Sequence, residues 1–236
     1  MWQRLIDGQT YAWSQARRYC DDLNLGGYRD WRLPTRVELV SIIDFTHTQP
    51  SINQAAFPKT PSDWFWTSSV DAENPTTSAW YVYFYFGYPK TDAMSNRFRA
   101  RCVRAPAVPD PSAGTAPPYD VHKDVVRDRG TGLTWQRATP SEKLAFAAAR
   151  QYCAGLRLGR ERGWRLPTAG ELLTLVDERR TNPTIDVVAF PRTPSESFWT
   201  ASSFADTPAM AWHVYFESGN SLYGLLKGTY RVRCVR

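Results

Sequence analysis

The chain states one pattern twice. The run Trp31-Arg32-Leu33-Pro34-Thr35 returns as Trp164-Arg165-Leu166-Pro167-Thr168, 133 residues on. Around it, four further matches keep their order. Tyr19-Cys20 and Tyr152-Cys153 lie twelve positions ahead of the tryptophan, and Glu38-Leu39 and Glu171-Leu172 follow it. Phe65-Trp66-Thr67 pairs with Phe198-Trp199-Thr200, and both copies finish on Arg-Cys-Val-Arg, at 101–104 and 233–236. A period this long exceeds a solenoid unit and implies two tandem domains. We place them at 1–104 and 119–236. Residues 105–118, five of them proline, read as an extended, semi-stiff linker. Trp2-Gln3 matches Trp135-Gln136, but only the second copy has a lead-in, Val125 to Thr134. The first domain is therefore expected to miss its first strand, with that strand and a secretion signal ahead of residue 1.

Charge divides unevenly. The net charge is +6; residues 1–104 hold 12 Lys/Arg against 10 Asp/Glu, and residues 119–236 hold 17 against 12. The basic second domain favours anionic partners. Dense Lys/Arg runs and nucleic-acid signatures are missing, so no nucleic-acid partner is expected. No apolar run reaches 18 residues, so no membrane-spanning helix is expected either. The four cysteines fall two per domain, and one bond in each, Cys20–Cys102 and Cys153–Cys234, is the simplest pairing. Bonded, they imply an oxidising compartment; the alternative is four reduced, buried thiols. The spacing gives no zinc set and no other metal site, although isolated calcium binding stays open. No cofactor is expected.

Periodicity places the elements. Apolar Ala16, Tyr19, Cys20 and Leu23 predict a helix over 10–23, and Ala145, Ala148, Ala149, Tyr152 and Cys153 predict its copy over 142–156. Thr35 with Glu38, and Thr168 with Glu171, have capping-box spacing and open two short helices. The prolines just ahead forbid helix at Leu33 and Leu166. Strands are expected at 65–69 and 198–202, at 80–86 and 212–216, and over the closing segments 98–104 and 230–236. The loops carrying Phe57-Pro58 and Phe190-Pro191 read as packed around an aromatic anchor.

Candidate binding residues follow from strand alternation. Arg97, Arg99 and Arg101 share one face and form the best basic stripe of the first domain; Lys227, Arg231 and Arg233 are its counterpart. Guanidinium forks suit sulfate, carboxylate or phosphate, and solvated local ion pairs are the alternative. Tyr81, Tyr83 and Tyr85 share the other face of their strand from Trp80 and form a candidate aromatic platform for a glycan, against ordinary cross-strand packing. Trp31 and Trp164 are expected in the core, Arg32 and Arg165 on Glu38 and Glu171. Asp44 and Asp177 are candidate acceptors for a terminal arginine, and Asp30 is a candidate to pin the turn before Trp31, a job its replaced counterpart must do differently. No repeated histidine accompanies the serine pairs Ser68-Ser69 and Ser202-Ser203, so no catalytic set is expected.

The helix with Tyr-Cys, then Trp-Arg-Leu-Pro-Thr-x-x-Glu-Leu, then Phe-Trp-Thr and a terminal Arg-Cys-Val-Arg, resembles the DUF1566 family, which includes the C-terminal domain of the Legionella collagen-like adhesin. The match covers nearly all of both halves. The resemblance implies tandem C-type-lectin-like domains of the α+β class, each with two helices packed on a twisted antiparallel sheet and closed by a helix-to-last-strand disulfide. It also implies a secreted, cell-surface or periplasmic, non-catalytic binding or adhesion module. The expected partner is a sulfated or otherwise anionic polysaccharide, or an extracellular matrix protein. The triplets of calcium-dependent lectins are missing, so no calcium sugar site of that kind is expected. The alternatives are an enzyme of the formylglycine-generating type, which needs reactive thiols, and a structural domain pair in a surface assembly.

Overall fold

A computed structural model describes residues 1–104 and 118–236. The stretch read as linker lies, apart from Pro118, outside the described residues. The chain divides into two compact units, with the division at Pro106/Ala107. Both are α+β, with small antiparallel sheets.

In the first unit, helix α1 (Trp13–Asp21) and the short α2 (Arg36–Val40) precede strands β1 (Trp64–Val70), β2 (Ser78–Tyr83) and β3 (Tyr88–Ala93). The strands form one antiparallel sheet in the order β1-β2-β3. Ala16 and Cys20 of α1 pack on Trp31, Leu33, Trp66 and Tyr81. The tryptophan of the repeated motif is thus core, 4% exposed. Helix α1 is shorter than its apolar pattern. It starts after Ala12, whose N–H donates to the Gln15 side chain at 3.1 Å.

The second unit opens with a sheet the first lacks among its described residues: β4 (Tyr119–Val121), β5 (Val125–Asp128) and β6 (Thr134–Gln136), in that order. Then come β7 (Leu144–Ala145), α3 (Phe146–Gly155), α4 (Ala169–Leu173), β8 (Ser197–Ser203), β9 (Met210–Tyr215), β10 (Asn220–Leu225) and β11 (Thr229–Tyr230). Strands β8, β9 and β10 repeat the first unit's sheet, and β11 pairs with β7. In α3, Ala149 and Cys153 are buried as expected, whereas Ala148 is exposed. Strands β4 and β5 matter for packing. Trp135 and Phe190 are fully buried, the latter edge-on to Tyr119 at 5.3 Å. Their counterparts Trp2 and Phe57 are only half-buried.

Both short helices open as the spacing predicts. Glu38 N–H donates to Thr35 Oγ1 at 3.3 Å while Thr35 N–H donates to the Glu38 carboxylate at 2.8 Å. Thr168 and Glu171 repeat this at 3.2 and 2.7 Å. Each cap carboxylate also receives a two-pronged guanidinium: Arg32 on Glu38 at 2.8 and 2.5 Å, Arg165 on Glu171 at 2.8 and 2.6 Å. Burial alone would raise these carboxyls; the arginine and the cap N–H outweigh it and hold both below the usual range.

The disulfides are Cys20–Cys102 and Cys153–Cys234. A glutamine sits beside each. Gln3 donates to Tyr19 Oη at 2.8 Å and accepts from Cys102 N–H at 3.0 Å; Gln136 does the same with Tyr152 and Cys234 at 2.8 and 3.1 Å. The repeated Trp-Gln and Tyr-Cys pairs are thus two ends of one buried bond network.

Two strand expectations need correction. The strand from Trp80 stops at Tyr83, because residues 84–87 turn. Gly87 takes φ +84°, and a Cβ there would meet Ile43 at 2.7 Å. The closing segments are not regular strands but extended ribbons bonded on both sides. Val103 bridges both Trp2 and Arg32, while Arg99 bridges Phe65; Val235 and Arg231 repeat this with Trp135, Arg165 and Phe198.

Candidate ligand-binding cleft

What packs over the closing ribbon decides the fate of the basic stripe. The Gln3–Arg4 segment and the loop of Phe57 and Thr60 cover Arg101, their copies cover Arg233, and both arginines are fully buried. Arg101 Nη1 donates to the carbonyls of Gln3 (2.6 Å) and Arg4 (3.0 Å), and Nη2 to Thr60 Oγ1 (2.6 Å). Arg233 copies this on Gln136, Arg137 and Thr193 at 2.6, 2.8 and 2.7 Å. Each guanidinium lies over the loop anchor, Phe57 at 4.8 Å and Phe190 at 4.6 Å. Burial pushes Arg101 down to about 10 and Arg233 to about 9, so both stay charged at neutral pH. The two residues are internal clamps, not ligand-facing groups.

The rest of the stripe is largely engaged. Arg99 donates to Asp63 at 2.8 Å and to Gly8 O at 2.5 Å. Arg231 pairs with Glu196 at 3.0 Å and also reaches Ser141 O. With Lys143 on the same carboxylate at 2.9 Å, Arg231 holds Glu196 down at about 2. Lys227 is exposed in the turn after β10.

The tyrosine set is divided: Tyr81 leaves it for the core, while Tyr83 and Tyr85 stay stacked and half-buried. Tyr81 is buried, edge-on to Phe98 at 5.0 Å and Trp66 at 6.4 Å. Tyr83 is half-buried, stacked on Trp64 at 5.0 Å and on Tyr85 at 5.7 Å.

Two acidic expectations also change. Asp44 bonds Thr46 and His47, and Asp177 holds Arg179 and Arg180 at 2.9 Å each, so neither accepts a terminal arginine. The terminal arginines instead take the turn acids: Arg104 on Asp30 at 2.5 Å, with its guanidinium 3.6 Å from the Tyr28 ring centre, and Arg236 on Glu161. Glu161 is how the second unit replaces Asp30.

Beside α1 lies a shallow, widely open cleft of about 620 Å³, lined by eight residues. Its wall is the helix face of Gln15, Arg18 and Tyr19, continued by Asp22, Leu23 and Asn24; Tyr11 and Arg97 close the other side. Tyr11 and Tyr19 stack with ring centres 4.9 Å apart. Burial, and for Tyr11 a hydrogen bond to Asp7, raises both phenols above their usual value, so both stay neutral. Arg97 is positioned by Thr10 O (2.6 Å) and Gln15 Oε1 (3.3 Å) yet remains exposed. Arg18 is exposed in the last turn of α1. Stacked rings beside two guanidinium groups, one carboxylate and two amides make a surface suited to a polar ring compound carrying negative charge. Of the candidate residues, only Arg97 belongs to it. Arg18, Tyr11 and Tyr19 were missed, Arg18 because it is an unremarkable surface residue of a helix. The second unit keeps Tyr152 and Leu156 but has Leu144, Ala148, Gln151, Gly155, Arg157 and Thr229 at the other matched positions.

Each unit's two cysteines are consumed in its disulfide, and among the described residues no thiol is left over. No helix of the described residues is long and apolar enough to cross a membrane.

A family model described as the Lcl C-terminal domain matches residues 1–104 and 124–236. No curated protein sequence matches significantly. Among solved structures, the chain is similar to the adhesin InvE of Yersinia pseudotuberculosis at 12% identity and a TM-score of 0.36. The alignment covers 76% of this chain and 63% of that one, so the chain spans less than two thirds of the adhesin's length.

Proposed function

The chain belongs to the Lcl C-terminal domain family, and we propose that it is a non-catalytic, extracellular adhesion module that binds an anionic polysaccharide. The observation that carries this reading is the cleft beside α1. It offers apolar ring faces and two outward guanidinium groups, the combination that holds an acidic sugar by stacking and charge-assisted hydrogen bonds. Two disulfides that each close a long loop support an oxidising location, secreted, surface-exposed or periplasmic. In this reading each unit is a C-type-lectin-like domain that has kept the scaffold without a calcium sugar site. Duplication adds avidity, since one attached unit raises the effective concentration of the other. An extracellular matrix protein bearing such glycans is an equivalent partner.

The test is binding of the full chain to dextran sulfate, with dextran as the uncharged control, across a salt series. We expect binding to the sulfated polymer only, weakening with salt. Arg18→Ser combined with Arg97→Gln should lower affinity roughly tenfold, about 1.4 kcal/mol. Equal signals for both polymers, or none for either, would remove the anionic-glycan reading.

A further inference from the structure

The second unit replaces Arg18, Asp22 and Arg97 of the cleft by uncharged residues and Asn24 by Arg157, and it carries most of the positive charge. Its ion pairs show where that charge is spent. Arg165 is on Glu171, Arg179 and Arg180 on Asp177, Arg231 on Glu196, Arg236 on Glu161, and Arg233 is buried. Three arginines within six residues are left out of these pairs: Arg157, Arg160 and Arg162, all exposed.

The backbone groups them. Leu158 and Glu161 bridge across a tight turn, with hydrogen bonds of 3.4 and 2.9 Å. Gly159 starts the turn at φ +58° and Arg160 sits at its tip. Leu158 packs on the core, so by alternation its neighbour Arg157 leaves on the outer side. Arg162 flanks the bridge from the opposing arm. Like charges facing each other across such an arm repel, and an anion between them relieves that repulsion. The only carboxylate of the turn, Glu161, is held by Arg236. The same turn of the first unit carries Asn24, Gly27 and Arg29 at the matched positions, with Tyr28 under Arg104.

We propose that the arginine turn at 157–162 is a second anion-binding surface, which grips the sulfate or carboxylate groups of the polysaccharide whose sugar ring the first unit's cleft takes. This rests on the anionic-glycan reading. The two units then differ in role, one recognising by stacking and shape and the other by charge.

The experiment uses the full chain and dextran sulfate. Arg157→Ser, Arg160→Ser and Arg162→Ser are combined in one variant. A charge-matched control combines Lys90→Ser, Lys123→Ser and Arg127→Ser, exposed positions away from both proposed surfaces. Intact disulfides and unchanged melting verify the fold of both. We expect the turn variant to lose about tenfold in affinity at physiological salt and to show a shallower salt dependence, the control staying within about twofold of the parent. A turn variant that matches the control overturns the proposal. If the parent binds and only the Arg18/Arg97 variant weakens, the glycan reading stands and this surface falls. If the parent ignores dextran sulfate at every salt concentration, both fall.

Discussion

The two units agree inside and disagree outside. Gln3 and Gln136, Arg101 and Arg233, Thr35–Glu38 and Thr168–Glu171 make the same bonds to matched atoms within a few tenths of an ångström. The cleft residues Gln15, Arg18, Asp22 and Arg97, by contrast, meet Ala148, Gln151, Gly155 and Thr229. A buried donor is tied to its acceptors, and changing one end strands the other at a cost of about 1–3 kcal/mol. An exposed arginine has no such obligation. The comparison separates positions that maintain the fold from positions available for binding, without reference to any other protein.

The equivalence of the two scaffolds is open to direct attack. Cys20→Ala with Cys102→Ala, or Cys153→Ala with Cys234→Ala, opens loops of nearly equal separation, 82 and 81 residues. Each pair should cost its own unit about 4 kcal/mol. Calorimetry of the two double variants should show matched losses, and a large inequality would mean the staples do different work. Next come the buried clamps. Arg101→Met and Arg233→Met each leave two carbonyls and a threonine hydroxyl without their donor, and should destabilise by about 3 kcal/mol. Lysine should rescue poorly, since a single ammonium cannot reproduce the planar fork. Full rescue by Arg233→Lys in urea unfolding would show that only charge matters there.

A smaller effect should set the units apart by pH. His213 occupies the place of Tyr81, buried between Trp199 and Tyr230 with ring centres 6.2 and 4.3 Å away. Burial pulls its pKa down to about 4, against about 6.5 in an unfolded chain. The folded unit therefore binds fewer protons between these values. Its stability is complete above pH 6.5 and declines as pH falls towards 4, by about 3 kcal/mol. The first unit has Tyr81 at that place, whose phenol burial raises, so it stays neutral throughout this range. Both share a further loss below the ordinary carboxylate range, since Glu38 and Glu171 are depressed alike. Melting of the two units from pH 7 to 5, above the range where the depressed carboxyls contribute, should thus diverge, and His213→Tyr should remove the divergence. Parallel curves in the parent would contradict the assignment.

Much of this molecule was legible in its residues. The capping boxes, the Arg32–Glu38 pair, the burial of Trp31 and the two disulfide pairings all rest on short-range spacing or on a count with one simple solution. The glutamine network was not legible, although Trp-Gln recurs at matched positions, because its partners Tyr19 and Cys102 are 16 and 99 residues from Gln3. Strand alternation failed at Arg101 and Tyr81 for a physical reason. Alternation sorts side chains into core and solvent only where one face of a strand is open. The Gln3–Arg4 segment and the Phe57–Thr60 loop cover the outer face at Arg101, and β2 is packed on both faces, so Arg101 and Tyr81 are both enclosed.

The duplication, the staples and the helix starts were thus determined by the sequence itself, since they depend on identity and local order. Which arginines meet solvent was decided only by the tertiary structure. Exposure depends on what the rest of the chain brings against a side chain, and for Arg101 that is Gln3, Arg4, Phe57 and Thr60, all more than 40 residues away. The same closure leaves Arg18 and Arg97 beside stacked tyrosines, and Arg157, Arg160 and Arg162 on an open turn.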